Sequence, residues 1–218
     1  KLFRKFLSRG EWKEKDRPIL LNNWEATGMT FDEESILKIA SKGKEAGVEL
    51  FVLDDGWFGA RDDDHAGLGD WYVNTKKLPN GIKGLAEKIN AMGLKFGLWF
   101  EPEMVNADSD LYRAHPDWVL SVPGRDKSLG RHQMVLDFSK PEVVDNIYHQ
   151  MYDILSDANI EYVKWDMNRS ISECFSQNMP ANEQGKVYHK YILGVYSLYE
   201  RLTSDFPHIL FECTSKGS

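Results

Sequence analysis

Short apolar runs alternate along the chain with longer amphipathic stretches. Residues 17–21, 48–53, 94–100, 133–136, 160–165 and 208–212 have the length and composition of buried strands. Between them, residues 31–40, 81–92, 141–158 and 184–205 carry apolar positions at helical spacing. The boundary residues agree with these periods. Asp32, Glu33 and Glu34 load the first turn of the first helix and Gly47 stops it; Gly93 closes the second, and Pro141 opens the third. No low-complexity tract or linker interrupts this rhythm. Six strands alternating with helices predict βαβ units and a parallel sheet.

The polar residues sharpen the prediction. Asp54, Glu101, Asp137, Asp166 and Glu212 end successive strands, usually beside an aromatic residue, whereas the turns entering the strands are bland. Chemistry gathered at the carboxyl ends of parallel strands is the habit of the (β/α)8 barrel. A doubly wound open sheet is the competing arrangement, but no glycine-rich phosphate loop follows the first strand. The expectation is an α/β chain forming part of a (β/α)8 TIM barrel, about the first six β/α units, with residues 1–218 as a partial catalytic domain.

Composition removes several function classes. Against 27 Lys and Arg stand 34 Asp and Glu, a net charge of −7, which argues against a nucleic-acid or anionic-membrane surface. No apolar run approaches the ~18 residues of a membrane span, and the basic first ten residues lack the apolar segment of a secretory leader. Cys174 and Cys213 form neither a disulfide framework nor a zinc pattern, so a reducing, cytoplasmic setting is expected. The six histidines show no H-x-H or H-E-x-x-H spacing, and no metal is expected.

The strongest local constellation is Tyr162-Val163-Lys164-Trp165-Asp166-Met167-Asn168. Strand alternation puts Tyr162, Lys164 and Asp166 on one face. An ammonium beside Asp166 would favour its ionised form, suited to a nucleophile; the same pair would serve equally as a buried tie that fixes the strand. Asp54-Asp55-Gly56-Trp57 ends a strand with two carboxylates that need a metal, a basic residue or sugar hydroxyls, or that cap a turn. Trp24, Trp57, Trp71, Trp99 and Trp165 fall at or just beyond strand ends. Aromatic faces beside carboxylates suit a sugar ring, while carboxylates on successive strands with a nearby lysine also fit Mg²⁺-dependent proton abstraction of the enolase type.

Five motifs then occur in order: Asn22-Asn23-Trp24-Glu25-Ala26, Asp54-Asp55-Gly56-Trp57-Phe58-Gly59, Gly97-Leu98-Trp99-Phe100-Glu101-Pro102-Glu103-Met104, Arg131-His132-Gln133-Met134-Val135-Leu136-Asp137 and Lys164-Trp165-Asp166-Met167-Asn168-Arg169. Together they resemble the catalytic barrel of a bacterial α-galactosidase of glycoside hydrolase family 36, over nearly the whole chain. The resemblance implies retaining hydrolysis of terminal α-linked galactose through a covalent galactosyl-enzyme, without cofactor. By match of motif, Asp166 would be the nucleophile. Asp54 and Asp55 would hold the hydroxyls at positions four and six, and Trp24 and Trp99 would shape the pocket. Lys164 and Asn168 would bind ring hydroxyls, Arg131 would reach the sugar or the nucleophile, and Cys213 would lie in the sugar site.

Two departures accompany the match. The family's flanking β-sandwich and C-terminal β-domain are not in this sequence. The glycine-rich run that follows the family's cysteine is replaced by Thr214-Ser215-Lys216-Gly217-Ser218, and the acid/base aspartate is expected beyond it. The expected substrates are melibiose- and raffinose-type oligosaccharides, and the full-length protein is expected to self-associate. A galactose-binding fragment without turnover and the Mg²⁺-dependent barrel enzyme are the competing readings.

Overall fold

The computed structural model describes residue 8 and residues 10–215; the start read as lacking a leader falls mostly outside them, as do residues 216–218. Seven strands are seen among the described residues: β1 (Leu20–Asn22), β2 (Leu50–Leu53), β3 (Lys95–Phe100), β4 (Met104–Asn106), β5 (Gln133–Val135), β6 (Tyr162–Met167) and β7 (Leu210–Ser215). The helices are α1 (Trp24–Thr27), α2 (Glu33–Glu45), α3 (Gly81–Ala91), α4 (Asp110–Ala114), α5 (Pro141–Asp157) and α6 (Val187–Asp205). A 3₁₀ segment over Ala181–Lys186 leads into α6 and accounts for the start predicted at residue 184.

Five strands form one all-parallel sheet in the order β1-β2-β3-β6-β7. Spatial order follows chain order without the reversal that defines a doubly wound sheet. The expectation of six parallel strands needs correction. The pattern of residues 133–136 predicts a further parallel strand, but Gln133–Val135 pairs antiparallel with Met104–Asn106, in a separate ribbon. β3 instead bonds directly to β6, with Gly97 opposite Tyr162 and Trp99 opposite Lys164. A three-residue apolar run carries no signal of strand direction, and β4 was hidden behind Pro102.

The register divides the sheet into two faces. Phe51, Leu53, Phe96, Leu98, Phe100, Val163 and Trp165 belong to one large core with the apolar faces of α2, α3, α5 and α6. Each fully buried Leu, Ile or Phe contributes roughly 1.5–3 kcal/mol over its exposed state. Local signals hold the helices in place. The Asp32 side chain accepts from the Ser35 N–H at 2.8 Å while the Ser35 hydroxyl receives the Asp32 N–H, a reciprocal cap that starts α2. Pro141 occupies the first turn of α5. At Gly194 on α6, any Cβ would overlap the Phe138 carbonyl oxygen, so this helix packs against the turn after β5 with no room to spare.

The opposite face begins with a small apolar layer of Leu50, Val52 and Tyr162, joined by half-buried Leu210. Gly97 sits in this layer. A Cβ there would lie 2.9 Å from Tyr162 Cδ1 and 3.0 Å from Val52 Cγ2, so neighbouring side chains fill its space. Two residues further along each strand, the same face turns polar.

Candidate active site

Period-two alternation puts Asn22, Asp54, Trp99, Lys164, Asp166 and Thr214 on this polar face at the carboxyl ends of the parallel strands. All of these but Asn22 line an open cavity of about 440 Å³, together with Trp24, Glu25, Asp55, Arg131 and Asn168. Eight of the nine residues named from the sequence therefore converge: Trp24, Asp54, Asp55, Trp99, Arg131, Lys164, Asp166 and Asn168.

Cys213 is the exception. It lies opposite Trp165 in the β6–β7 register, on the helix side of the sheet, and its Sγ is 3.1 Å from the Tyr199 hydroxyl. Its neighbour Thr214 faces the cavity instead. One step along a strand changes faces, and the motif match alone did not fix which residue pointed inward.

Asp166 is held by four donors. Trp99 Nε1 donates to Oδ2 at 3.2 Å and Asn168 Nδ2 at 2.7 Å; the Met167 N–H and the Thr214 hydroxyl donate to Oδ1, each at 3.0 Å. Such contacts fix the carboxylate's orientation. The lysine expected beside Asp166 pairs elsewhere. Lys164 Nζ is 2.9 Å from Asp54 Oδ2: the register sets Lys164 opposite Trp99, and its long stem reaches past β3 to the carboxyl end of β2. Asp54 also accepts from Asn22 Nδ2, and its Oδ1 receives the Asp55 N–H at 2.9 Å.

Asp55 has a partner that the sequence reading missed. Arg61, fully buried, grips both its oxygens, Nε to Oδ1 at 2.9 Å and Nη2 to Oδ2 at 2.8 Å. Burial pushes the Asp55 carboxyl up, and this bidentate guanidinium opposes the shift. Lys77 steadies the same corner, its ammonium donating to the carbonyls of Met29, Gly56 and Arg61. Arg61 and Lys77 sit in an irregular loop with no periodic pattern; the only sequence signal was a lone arginine ahead of Asp62-Asp63-Asp64.

Beneath Asp166 lies a second tier. Glu101 accepts the Asn168 N–H at 2.6 Å and Gln133 Nε2 at 3.2 Å. Burial, with the negative charge of Asp166 adding to it, pushes the Glu101 carboxyl up to about 7. Glu103 receives Trp165 Nε1 at 3.1 Å and the Tyr191 hydroxyl, and burial raises its carboxyl as well. Of the five tryptophans read as sugar platforms, Trp24 and Trp99 reach the cavity. Trp57, Trp71 and Trp165 belong to the core; Trp57 meets Phe58 edge-on at 5.2 Å and donates its Nε1 to the Trp99 carbonyl. Asp137 and Glu212 do not line the cavity. Asp137 is buried in the turn before α5, where Oδ1 accepts the Ser139 N–H, and Glu212 is exposed on β7.

The arrangement pairs a pre-oriented carboxylate with tryptophan, two further aspartates and three cationic or amide donors around an open cavity. Chemically, such a set can stack on and hydrogen-bond a polyhydroxylated ring. The melibiase family profile matches residues 1–218. Alpha-galactosidase AgaA of Geobacillus stearothermophilus is 54% identical over 216 residues, covering 99% of this chain and 30% of that protein. Alpha-galactosidase Mel36A of Lactobacillus acidophilus is 50% identical over 211 residues, covering 97% of this chain and 29% of that protein. The crystal structure of AgaA, a GH36 alpha-galactosidase, superimposes with a TM-score of 0.96, covering 99% of this chain and 30% of that one. The chain thus spans about 30% of the length of these relatives. It belongs to the melibiase family, and the solved structures that it resembles include α-galactosidases of glycoside hydrolase family 36.

Proposed function

We propose that this chain carries the nucleophile side of a retaining α-galactosidase, with Asp166 as the nucleophile. The observation that carries the reading is the Asp166 carboxylate, pinned by four donors at the wall of a sugar-sized cavity. In the first step an Asp166 oxygen forms a bond to the anomeric carbon of galactose while the bond to the leaving oxygen breaks. An acid protonates that oxygen, and water then releases the sugar with its configuration retained. We assign no acid/base among residues 1–218. Asp54 is shared between Lys164 and Asn22, and Asp55 is committed to Arg61.

Asp54, with Lys164 beside it, suits the hydroxyls at positions four and six; Arg131 and Asn168 suit the remaining ring oxygens. Trp24 and Trp99 form the apolar boundary. Melibiose- and raffinose-type oligosaccharides are the proposed substrates, supported by structures of AgaA variants in complex with raffinose and with stachyose. The five-stranded parallel arc, ordered as in the chain, supports a portion of a (β/α)8 barrel with the site at its carboxyl end. Free Cys174 and Cys213 fit a cytoplasmic setting. The Mg²⁺-dependent reading loses ground because Lys164 and Arg61 already occupy the cation positions beside Asp54 and Asp55.

The test is Asp166→Ala in a full-length chain carrying these residues. Turnover should fall well beyond the ~10²–10⁴ lost with a helper residue. Azide should restore reaction of an activated aryl α-galactoside and give the β-galactosyl azide. An Asp166→Ala protein with undiminished activity would remove Asp166 from the mechanism.

A further inference from the structure

Beside Arg131 but outside the cavity lining, two segments far apart in sequence bring three metal-ligating side chains together. Asp64, His65 and His132 each offer a ligand atom, and these atoms all lie within 4.8 Å of one another. The two imidazole rings stack with centroids 3.7 Å apart at 29°. His65 Nδ1 is 3.2 Å from Asp64 Oδ1 and 3.4 Å from Asp63 Oδ1, so a further carboxylate stands beside the group.

We infer that Asp64, His65 and His132 form a binding site for a late first-row divalent cation such as Zn²⁺. Two imidazoles and a carboxylate are a nitrogen–oxygen set that suits Zn²⁺, Ni²⁺ or Cu²⁺, whereas Mg²⁺ and Ca²⁺ prefer oxygen alone. At Zn–ligand distances of ~2.0–2.2 Å, ligand atoms of a tetrahedral site lie about 3.4 Å apart. Small rotations of exposed side chains close the remaining gap, and water completes the shell. Asp63 adds negative charge on the same loop, while Asp62 is paired with Lys77 at 3.0 Å.

The backbone beneath is already fixed. Buried Asn106 donates from Nδ2 to the Asp64 carbonyl at 3.1 Å and to the His132 carbonyl at 3.0 Å. Its Oδ1 accepts from Arg61 Nη1 at 3.1 Å and from the Leu68 N–H at 2.9 Å. One amide therefore pins the main chain of both ligand-bearing segments, which lowers the ordering cost of binding a cation. Arg131 and His132 both hold left-handed backbone, with φ of 53° and 60°, a conformation uncommon outside glycine. The side chains of this pair diverge: Arg131 lines the cavity, and His132 stacks on His65 outside its lining. A bound cation would tie the loop of Arg61 to the loop of Arg131, joining two arginines that frame Asp55 and the sugar site. Histidine spacing in the sequence gave no hint of this, because the ligands come from separate segments.

The experiment is calorimetric titration of Zn²⁺ into the full chain near neutral pH, with Mg²⁺ as the control ion. One Zn²⁺ per chain is expected, with no saturable heat from Mg²⁺. His65→Ala and His132→Ala should each weaken Zn²⁺ by more than ~10-fold, while His149→Ala on α5 should leave affinity unchanged. His65 and His132 are exposed, so their replacement spares the core, and an unchanged circular dichroism spectrum verifies folding. Absence of saturable Zn²⁺ binding, or wild-type affinity in either the His65 or the His132 variant, would overturn the assignment. The readout is direct binding and does not depend on galactosidase activity.

Discussion

Replacing Glu101 by glutamine removes a carboxyl that the fold buries directly behind the nucleophile. Glutamate titrates at 4.5 when free, and burial pushes Glu101 up to about 7. The folded state therefore holds this proton more tightly than the unfolded chain does. Its stabilising contribution is fully present below about pH 4.5 and is lost as pH rises through about 7. At ~1.4 kcal/mol per pH unit, the gap between 4.5 and about 7 is worth about 3 kcal/mol. Glutamine is neutral throughout, so Glu101→Gln removes that dependence. Its carbonyl can still accept the Asn168 N–H, and its amide faces Gln133, whose Oε1 is buried without a partner. Urea denaturation of both proteins from about pH 4.5 to about pH 8 is the assay. The variant should gain about 3 kcal/mol on the wild type across this range. Parallel stability curves would show that Glu101 does not hold its proton in the fold, and the proposed link between burial and charge would be wrong.

Arg61→Ala leaves Asp55 buried without its guanidinium and should cost about 3–5 kcal/mol of stability; a urea midpoint close to that of wild type would contradict a structural role for the pair. Asp54→Asn should weaken galactoside binding by ~10–100-fold, the value of hydrogen bonds to a charged group. The 4- and 6-deoxygalactosides should lose much less, and equal losses for all three sugars would make Asp54 a purely structural partner of Lys164. Gly194→Ala forces a methyl onto the Phe138 carbonyl and should cost at least ~1–3 kcal/mol, visible as a lowered melting temperature; an unchanged one would mean that α6 shifts freely.

Much of this architecture was legible because two periods dominate the chain. Alternation along 160–165 and helical spacing over 141–158 each point to one local structure, and the acids at strand ends mark the polar rim. What stayed hidden depends on partners distant in sequence. The run at 133–136 looked like one more parallel strand because its three paired residues say nothing about direction. Lys164 was matched with Asp166, its neighbour on the strand, although its ammonium reaches Asp54 across β3. Cys213 and Thr214 differ by one step, and only the register with β6 decides which faces the cavity. Arg61 and Lys77 act from an irregular loop through contacts that no periodicity encodes. Glu101 was visible as a strand-end acid, but its role required knowing that Asn168 and Gln133 close over it.

Because β3 bonds directly to β6, residues 101–140 contribute nothing to the continuity of the parallel sheet. This excursion carries the β4–β5 ribbon, α4 and Arg131, whereas Asp54, Lys164 and Asp166 stand on or beside the sheet itself. Closing a longer flexible loop is cheap, about 0.6 kcal/mol for each doubling of length. The two sides of the cavity therefore face different evolutionary pressures. Insertions and exchanges in its largely exposed stretch, residues 122–130, can reshape what approaches the sugar while Glu101, Gln133 and the nucleophile stay as they are. A change on the sheet face disturbs chemistry and folding together. Directed evolution of substrate range has its most permissive ground in residues 122–130 of this excursion, and an engineered library confined there should retain a far larger share of folded members than one spread over β2, β3 and β6.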